Sequence, residues 1–192
     1  MNLIKRKISD EEELIKGCIA GKREMQKQLY DRYAGKMLAI CRRYALTTFE
    51  AEDILQEAFV KVFANLQNFK RDCPIEFWIR RIIINTAIKQ QRGTMQISAL
   101  SEEEHPGQVP QEEFIMANYG YEELLGMIRS LAPRYQIIFN LYAIEGYSHK
   151  EIAAMLEISE GTSKSQYSRA RAILKNMLER HQKQYNEKII NK

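Results

Sequence analysis

Lys164, Ser165, Ser168, Arg169 and Ala172 fall on one face when residues 160–178 are wound as a helix, with Arg171 and Lys175 on its flank. No acid falls on that face before Glu179. Small residues let a helix come close to a flat polar surface. Lysine and arginine supply donors to phosphate oxygens and to the acceptor edge of guanine. Ser163, Tyr167, Ala170 and Leu174 take the opposite side. A second set of residues points to related chemistry. Trp78, Arg81, Asn85, Lys89 and Arg92 recur at i, i+3, i+7, i+11 and i+14, so they form one narrow stripe on a helix over about 74–92. Ile79, Ile83, Ile84 and Ala87 lie opposite, and Arg80 breaks the pattern by falling on the apolar side. An aromatic ring among cations suits unpaired bases, since stacking on a side chain is worth about 1–3 kcal/mol per base. The same stripe also fits a core tryptophan beside a solvated basic surface. The segment Phe69-Lys70-Arg71-Asp72-Cys73-Pro74 just before it is a loop with two cations and an aromatic.

The elements that must position these residues are helical throughout. Apolar periodicity predicts helices over about 10–30, 30–45, 50–67 and 74–92, then over about 121–130, 133–144, 148–156 and 160–184. No run shows sustained strand alternation. Ser148 with Glu151 three residues on forms a capping box that opens one helix, and Ile152, Met155 and Leu156 give it an apolar stripe. Glu157-Ile158-Ser159 is a short turn, and Ser159 is a good N-cap for the helix that follows. Helix, short turn and basic helix make a helix–turn–helix, whose second helix enters the major groove. A helical hairpin with a solvated basic face is the plain alternative. Upstream, the 50–67 helix buries Leu55, Ala58, Phe59, Val62, Phe63 and Leu66 and turns Asp53, Gln56, Glu57, Val60 and Ala64 outward. Exposed Val60 and Ala64 beside acids hint at a docking surface.

Charge divides the chain in three. Residues 1–92 carry 18 basic and 12 acidic side chains, residues 93–120 five acids and no base, and residues 121–192 eleven bases and eight acids. The middle stretch also holds Pro106, Gly107 and Pro110, which marks it as a flexible tether. The expected organisation is therefore all-α: two small helical domains, 1–92 and 121–192, joined by a linker over 93–120. Cys18, Cys41 and Cys73 are odd in number and far apart, and the three histidines are scattered, so neither a disulfide framework nor a metal site is expected. No glycine-rich phosphate loop or nucleophile–histidine pairing suggests an enzyme, a cofactor or a small-molecule substrate. No apolar run approaches the ~20 residues of a membrane span, and a cytoplasmic location is expected.

Several segments together resemble a known family. Ala51-Glu52-Asp53-Ile54-Leu55-Gln56-Glu57-Ala58-Phe59 resembles the segment by which bacterial sigma factors grip RNA polymerase. Phe77-Trp78-Ile79-Arg80-Arg81-Ile82 through Asn85-Thr86-Ala87-Ile88 resembles their −10 reading helix. Leu131-Ala132-Pro133-Arg134-Tyr135-Gln136, Glu145-Gly146-Tyr147-Ser148 and Glu160-Gly161-Thr162-Ser163-Lys164-Ser165 resemble their −35 reading domain. With two such domains, the chain is similar to the extracytoplasmic-function (ECF) subfamily over about residues 24–92 and 121–181. The resemblance implies that Asp53, Gln56 and Glu57 contact core RNA polymerase. It implies that Lys70, Arg71, Trp78, Arg81, Asn85, Lys89 and Arg92 meet the −10 element. It also implies that Lys164, Ser165, Ser168, Arg169, Arg171 and Lys175 meet the −35 element. Promoter DNA, core polymerase and an anti-sigma factor are the implied partners.

Three positions depart from the family pattern. Ser163 stands at an inward position where valine is usual, so the helix is expected to pack less firmly there. Gln166 replaces a frequent arginine, removing one expected phosphate contact. Lys89 lies where an acid is usual, so −10 preference does not carry over. The competing reading is a conventional helix–turn–helix regulator that binds duplex DNA, as a dimer and without polymerase.

Overall fold

The computed structural model describes the backbone of residues 2–99 and 120–190, with side chains from 10 to 91 and, with few exceptions, from 120 to 183. Every regular element among these residues is helical. The chain separates into two compact units, the first ending at Gln90 and the second beginning at Gln91.

The first unit is built from α1 (Asn2–Ile19), α2 (Arg23–Tyr44), α3 (Thr48–Asn65) and the first part of α4 (Ile75–Ala99). The expected break near residue 30 lies instead at Gly21, whose φ of +74° turns the chain between α1 and α2. The two helices then pack closely, because a Cβ at Gly17 would meet Met25 Cγ at 2.5 Å. α3 begins two residues earlier than expected because Thr47 caps it. Glu50 N–H donates to Thr47 Oγ1 at 3.1 Å, and Leu46 N–H donates to Glu50 Oε2 at 2.8 Å. A single 3₁₀ turn, Leu66–Asn68, ends α3. Ile54, Leu55, Ala58, Phe59 and Val62 of α3 and Ile79, Ile83, Ile84 and Ala87 of α4 are all buried, each at most 4% exposed, and Phe59 meets Tyr30 of α2 edge-on at 4.7 Å. Burying each isoleucine side chain is worth about 1.5–3 kcal/mol. Helix α4 continues to Ala99, seven residues into the expected tether. The reason is that Gly93 costs only about 1 kcal/mol in a helix interior, and no proline follows before Pro106. The rest of the tether, 100–119, lies outside the described residues.

The second unit holds α5 (Tyr121–Arg129), α6 (Pro133–Phe139), α7 (His149–Leu156) and α8 (Glu160–Ile190). Ile128, Leu131, Tyr135, Phe139, Ala170 and Leu174 form its core. The expected single helix 133–144 is two pieces, because α6 passes into a π-helical turn at Asn140–Ile144. Such turns widen the helix by one residue and are often found at functional sites. Here the turn leaves Tyr142 38% exposed. The capping box that opens α7 is formed: Ser148 N–H donates to Glu151 Oε2 at 2.8 Å and Glu151 N–H to Ser148 Oγ at 3.3 Å. α7 ends at Glu157 in the left-handed region, φ +59°. Ser159 then caps α8 by accepting from Thr162 N–H at 2.9 Å.

Candidate nucleic-acid interfaces on two units

In the first unit, α3 presents two different faces. Phe49, Asp53, Gln56, Val60 and Ala64 follow i, i+4, i+7, i+11 and i+15 and are all exposed, Phe49 at 72% and Val60 at 69%. Asp53 and Gln56 therefore stand on an apolar, solvent-facing stripe. Glu57 does not share it. Its Oε1 accepts from Lys61 Nζ at 2.6 Å and its Oε2 from Gln90 Nε2, on α4, at 2.6 Å. These two bonds hold the Glu57 carboxyl below the usual carboxylate range, against the opposing effect of partial burial. Lys61 Nζ also donates to Thr86 Oγ1 at 3.2 Å, which satisfies a hydroxyl on a residue 1% exposed. Glu57 is thus part of a polar seam between α3 and α4.

That seam borders a groove of about 450 Å³ between the two helices, lined by Lys61, Asn65, Asn68, Trp78, Ile82, Asn85, Thr86 and Lys89. Three of the −10 candidates, Trp78, Asn85 and Lys89, meet here. Trp78 is half-buried, and its ring lies 5.3 Å from that of Phe69 at 44°. It is therefore neither a full core residue nor a free surface ring. The groove combines an aromatic wall, three amides and two cations. That set offers stacking, both hydrogen-bond polarities and phosphate neutralisation to one unpaired nucleotide. Lys61, Asn65 and Asn68 were not anticipated from the sequence, although amides at 65 and 68 following a Glu57–Lys61 i,i+4 pair were a readable signal. Lys70 and Arg71 sit on the exposed loop before α4, where Arg71 adopts φ +64°. Arg81 is exposed on α4, and Arg80, the pattern breaker, is half-buried. The side chain of Arg92 is outside the described residues.

In the second unit, Ser163, Ala170 and Leu174 are fully buried and Tyr167 is half-buried, as the helical wheel requires. Lys164, Ser165 and Lys175 are exposed, while Ser168, Arg169 and Arg171 are half-buried. The outward face is not free of acid at its start, because Glu160 Oε1 lies 2.7 Å from Lys164 Nζ. This pair lowers the Glu160 pKa. Arg171 is drawn over the Tyr167 ring at 5.9 Å. The looser packing expected at Ser163 is replaced by a specific bond, since its hydroxyl lies 2.9 Å from His149 Nδ1. Leaving that buried hydroxyl unsatisfied would cost about 1–3 kcal/mol. The imidazole in turn stacks on Tyr142, centroids 4.2 Å apart at 12°. Burial, and then Lys164, lower the His149 pKa, with Glu160 opposing.

Two helical units, the second a helix–turn–helix with an exposed basic face, define a helix–turn–helix class of transcription factor. Family models agree with that division. The model for sigma-70 region 2 matches residues 29–95, and that for sigma-70 region 4 matches residues 121–174, together more than half of the chain. The chain is 30% identical over 159 residues to the ECF RNA polymerase sigma factor SigE of Mycolicibacterium smegmatis, covering 80% of this chain and 62% of that protein. It is 27% identical over 177 residues to the ECF RNA polymerase sigma factor SigW of Bacillus subtilis, covering 85% of this chain and 94% of that one. It is 27% identical over 160 residues to the ECF RNA polymerase sigma-E factor of Escherichia coli K12, covering 77% and 83%. The chain thus spans less than two thirds of SigE and most of the other two. A solved structure, the sigma factor RpoE from Bartonella quintana with the anti-sigma factor NepR, shares the fold at a TM-score of 0.53 and 22% identity, over 80% of this chain and 96% of that one. The chain belongs to the sigma-70 family, in its extracytoplasmic-function group.

Proposed function

We propose that this chain binds core RNA polymerase through the exposed stripe of α3, opens and reads the −10 promoter element at the α3–α4 groove, and reads the −35 element with α8. It acts in the cytoplasm as an initiation factor and carries out no chemical step of its own. The observation that carries this reading is the groove itself. A protein that binds only closed duplex has no use for a half-buried tryptophan facing amides and cations. A protein that melts a promoter must hold an extruded base, at a cost of a few kcal/mol. Stacking and cation contacts of the kind this groove offers are of similar size. Melting could then proceed without an energy source. An anti-sigma protein is the proposed regulator, by likeness to the Bartonella factor, whose structure contains one.

The test compares Trp78→Ala holoenzyme on a closed promoter and on one with a pre-melted −10 bubble. Binding of the closed duplex is expected to persist, opening, followed by permanganate reactivity of thymines, to fall, and the bubble to restore transcription. A stable variant that opens the closed promoter normally overturns the melting role. Duplex binding by the chain without core polymerase, as a dimer, would favour the conventional regulator.

A further inference from the structure

Ser163 is the fourth residue of α8 and His149 the first of α7. Their hydrogen bond at 2.9 Å therefore ties the first turn of one helix to the first turn of the other, across the whole turn of the motif. The ring end of this bond is itself held from outside α7. Tyr142, on the π-helical turn, stacks on it at 4.2 Å, and Tyr167, one turn beyond Ser163, approaches to 5.7 Å. The serine end is held along its own helix by the Ser159 cap, and the bond to His149 adds a tie to another element. Its side chain is fully buried yet too small to interlock by shape. A helical serine commonly bonds back to its own helix, whereas this one meets a ring on another element.

We infer that His149 is a positioning residue for the recognition helix. Through Ser163 it fixes the rotation and height of the first turn of α8, and so aims Lys164 and Ser165, the two residues that follow. The N-terminal residues of a recognition helix are those that meet base edges, and their hydrogen bonds weaken steeply with misalignment. Loss of the bond should therefore blur base choice locally while leaving the rest of the helix in place. This inference rests on the reading of α8 as the −35 helix.

The experiment measures holoenzyme affinity for promoters varied at each −35 position, with Ser163→Ala, His149→Ala, His149→Asn and the double alanine variant. Asparagine places an amide near the position of Nδ1 and keeps the bond. Ser163→Ala and His149→Ala should each lower discrimination about tenfold at positions read by the first turn, the size of one lost base contact. Discrimination at positions read by Arg169 should hold within about twofold, as for uncoupled sites, and the double variant should be no worse than either single one. His149→Asn should restore discrimination. An even loss at all positions, or His149→Asn as poor as His149→Ala, overturns the inference in favour of simple packing. The bond is also read without DNA, from the imidazole nitrogen shifts of the full chain by NMR. If Ser163→Ala leaves the His149 shifts unchanged, the positioning role fails, whatever the promoter data show. Absence of any −35 preference in the unsubstituted holoenzyme, with the nitrogen shifts sensitive to Ser163→Ala, would instead sink the assignment of α8, and the aiming role with it.

Discussion

His149 and Arg169 illustrate how much at the residue scale depends on the neighbour rather than the residue type. A histidine with its pKa depressed in the folded unit binds fewer protons folded than unfolded near pH 6. Its stabilising contribution is therefore full above the unfolded value, about 6.5, and is lost as pH falls through the lower folded value. Glu160 and Lys164 of α8 oppose one another near the ring, and burial holds the Tyr167 hydroxyl above its usual value. The melting temperature of the second unit should drop between pH 7 and 5, and His149→Asn should flatten that dependence. An unchanged slope in differential scanning fluorimetry would assign the effect elsewhere. Arg169 and Lys175 should separate by readout. Arg169→Ala should cost about 1–3 kcal/mol and relax one promoter position. Lys175→Ala should weaken all promoters alike and reduce the salt slope by roughly 0.9. Equal, sequence-independent losses would mean that Arg169 touches only phosphate.

On the scale of elements, α3 does two things because its polar residues fall on two faces. Asp53 and Gln56 sit with Phe49 and Val60 on the exposed stripe. Glu57, one residue on, points to α4 and holds Lys61 and Gln90. Asp53→Ala with Gln56→Ala should therefore weaken core polymerase binding with helicity unchanged. Glu57→Gln should leave core affinity within about twofold, since the Glu57 carboxylate bonds Lys61 and Gln90 of the seam and not the docking stripe, and should instead weaken binding of a single-stranded −10 oligonucleotide by holoenzyme. Loss of core affinity in Glu57→Gln, with oligonucleotide binding intact, would return Glu57 to the docking surface. The Glu57–Lys61 pair is itself roughly 40% exposed, at 42% and 36%, so its worth is as geometry more than as stability.

For the molecule as a whole, the relevant fact is that each unit has its own buried core. Phe59, Ile83 and their neighbours fill the first, and Phe139, Ala170 and Leu174 the second. Fragments 1–99 and 118–192 should each unfold cooperatively on heating when expressed separately. The margin will be small, because domains of this size bury only about 60% of their unfolded surface. A fragment without a cooperative melt, restored by adding the other, would show that the cores depend on one another.

Periodicity and local chemistry carried much of this in the sequence alone. Apolar spacing marked the inward faces of α3, α4 and α8. The Ser148–Glu151 box and Ser159 placed the helix–turn–helix, because a cap is satisfied within four residues and needs no distant partner. The break at Gly21 and the cap at Thr47 are equally local, but helical periodicity runs through both and hides them. What lay beyond the sequence was which distant residues meet. The Glu57–Gln90 and Lys61–Thr86 bonds and the groove beside Trp78 span 25 residues or more, and the Tyr142–His149–Ser163 contact crosses two turns. Their partners are set by helix rotation and packing. A wheel gives the direction of a side chain but not what waits there, so Glu57 read as a solvated acid and Ser163 as a defect until tertiary structure supplied a glutamine for one and a histidine for the other.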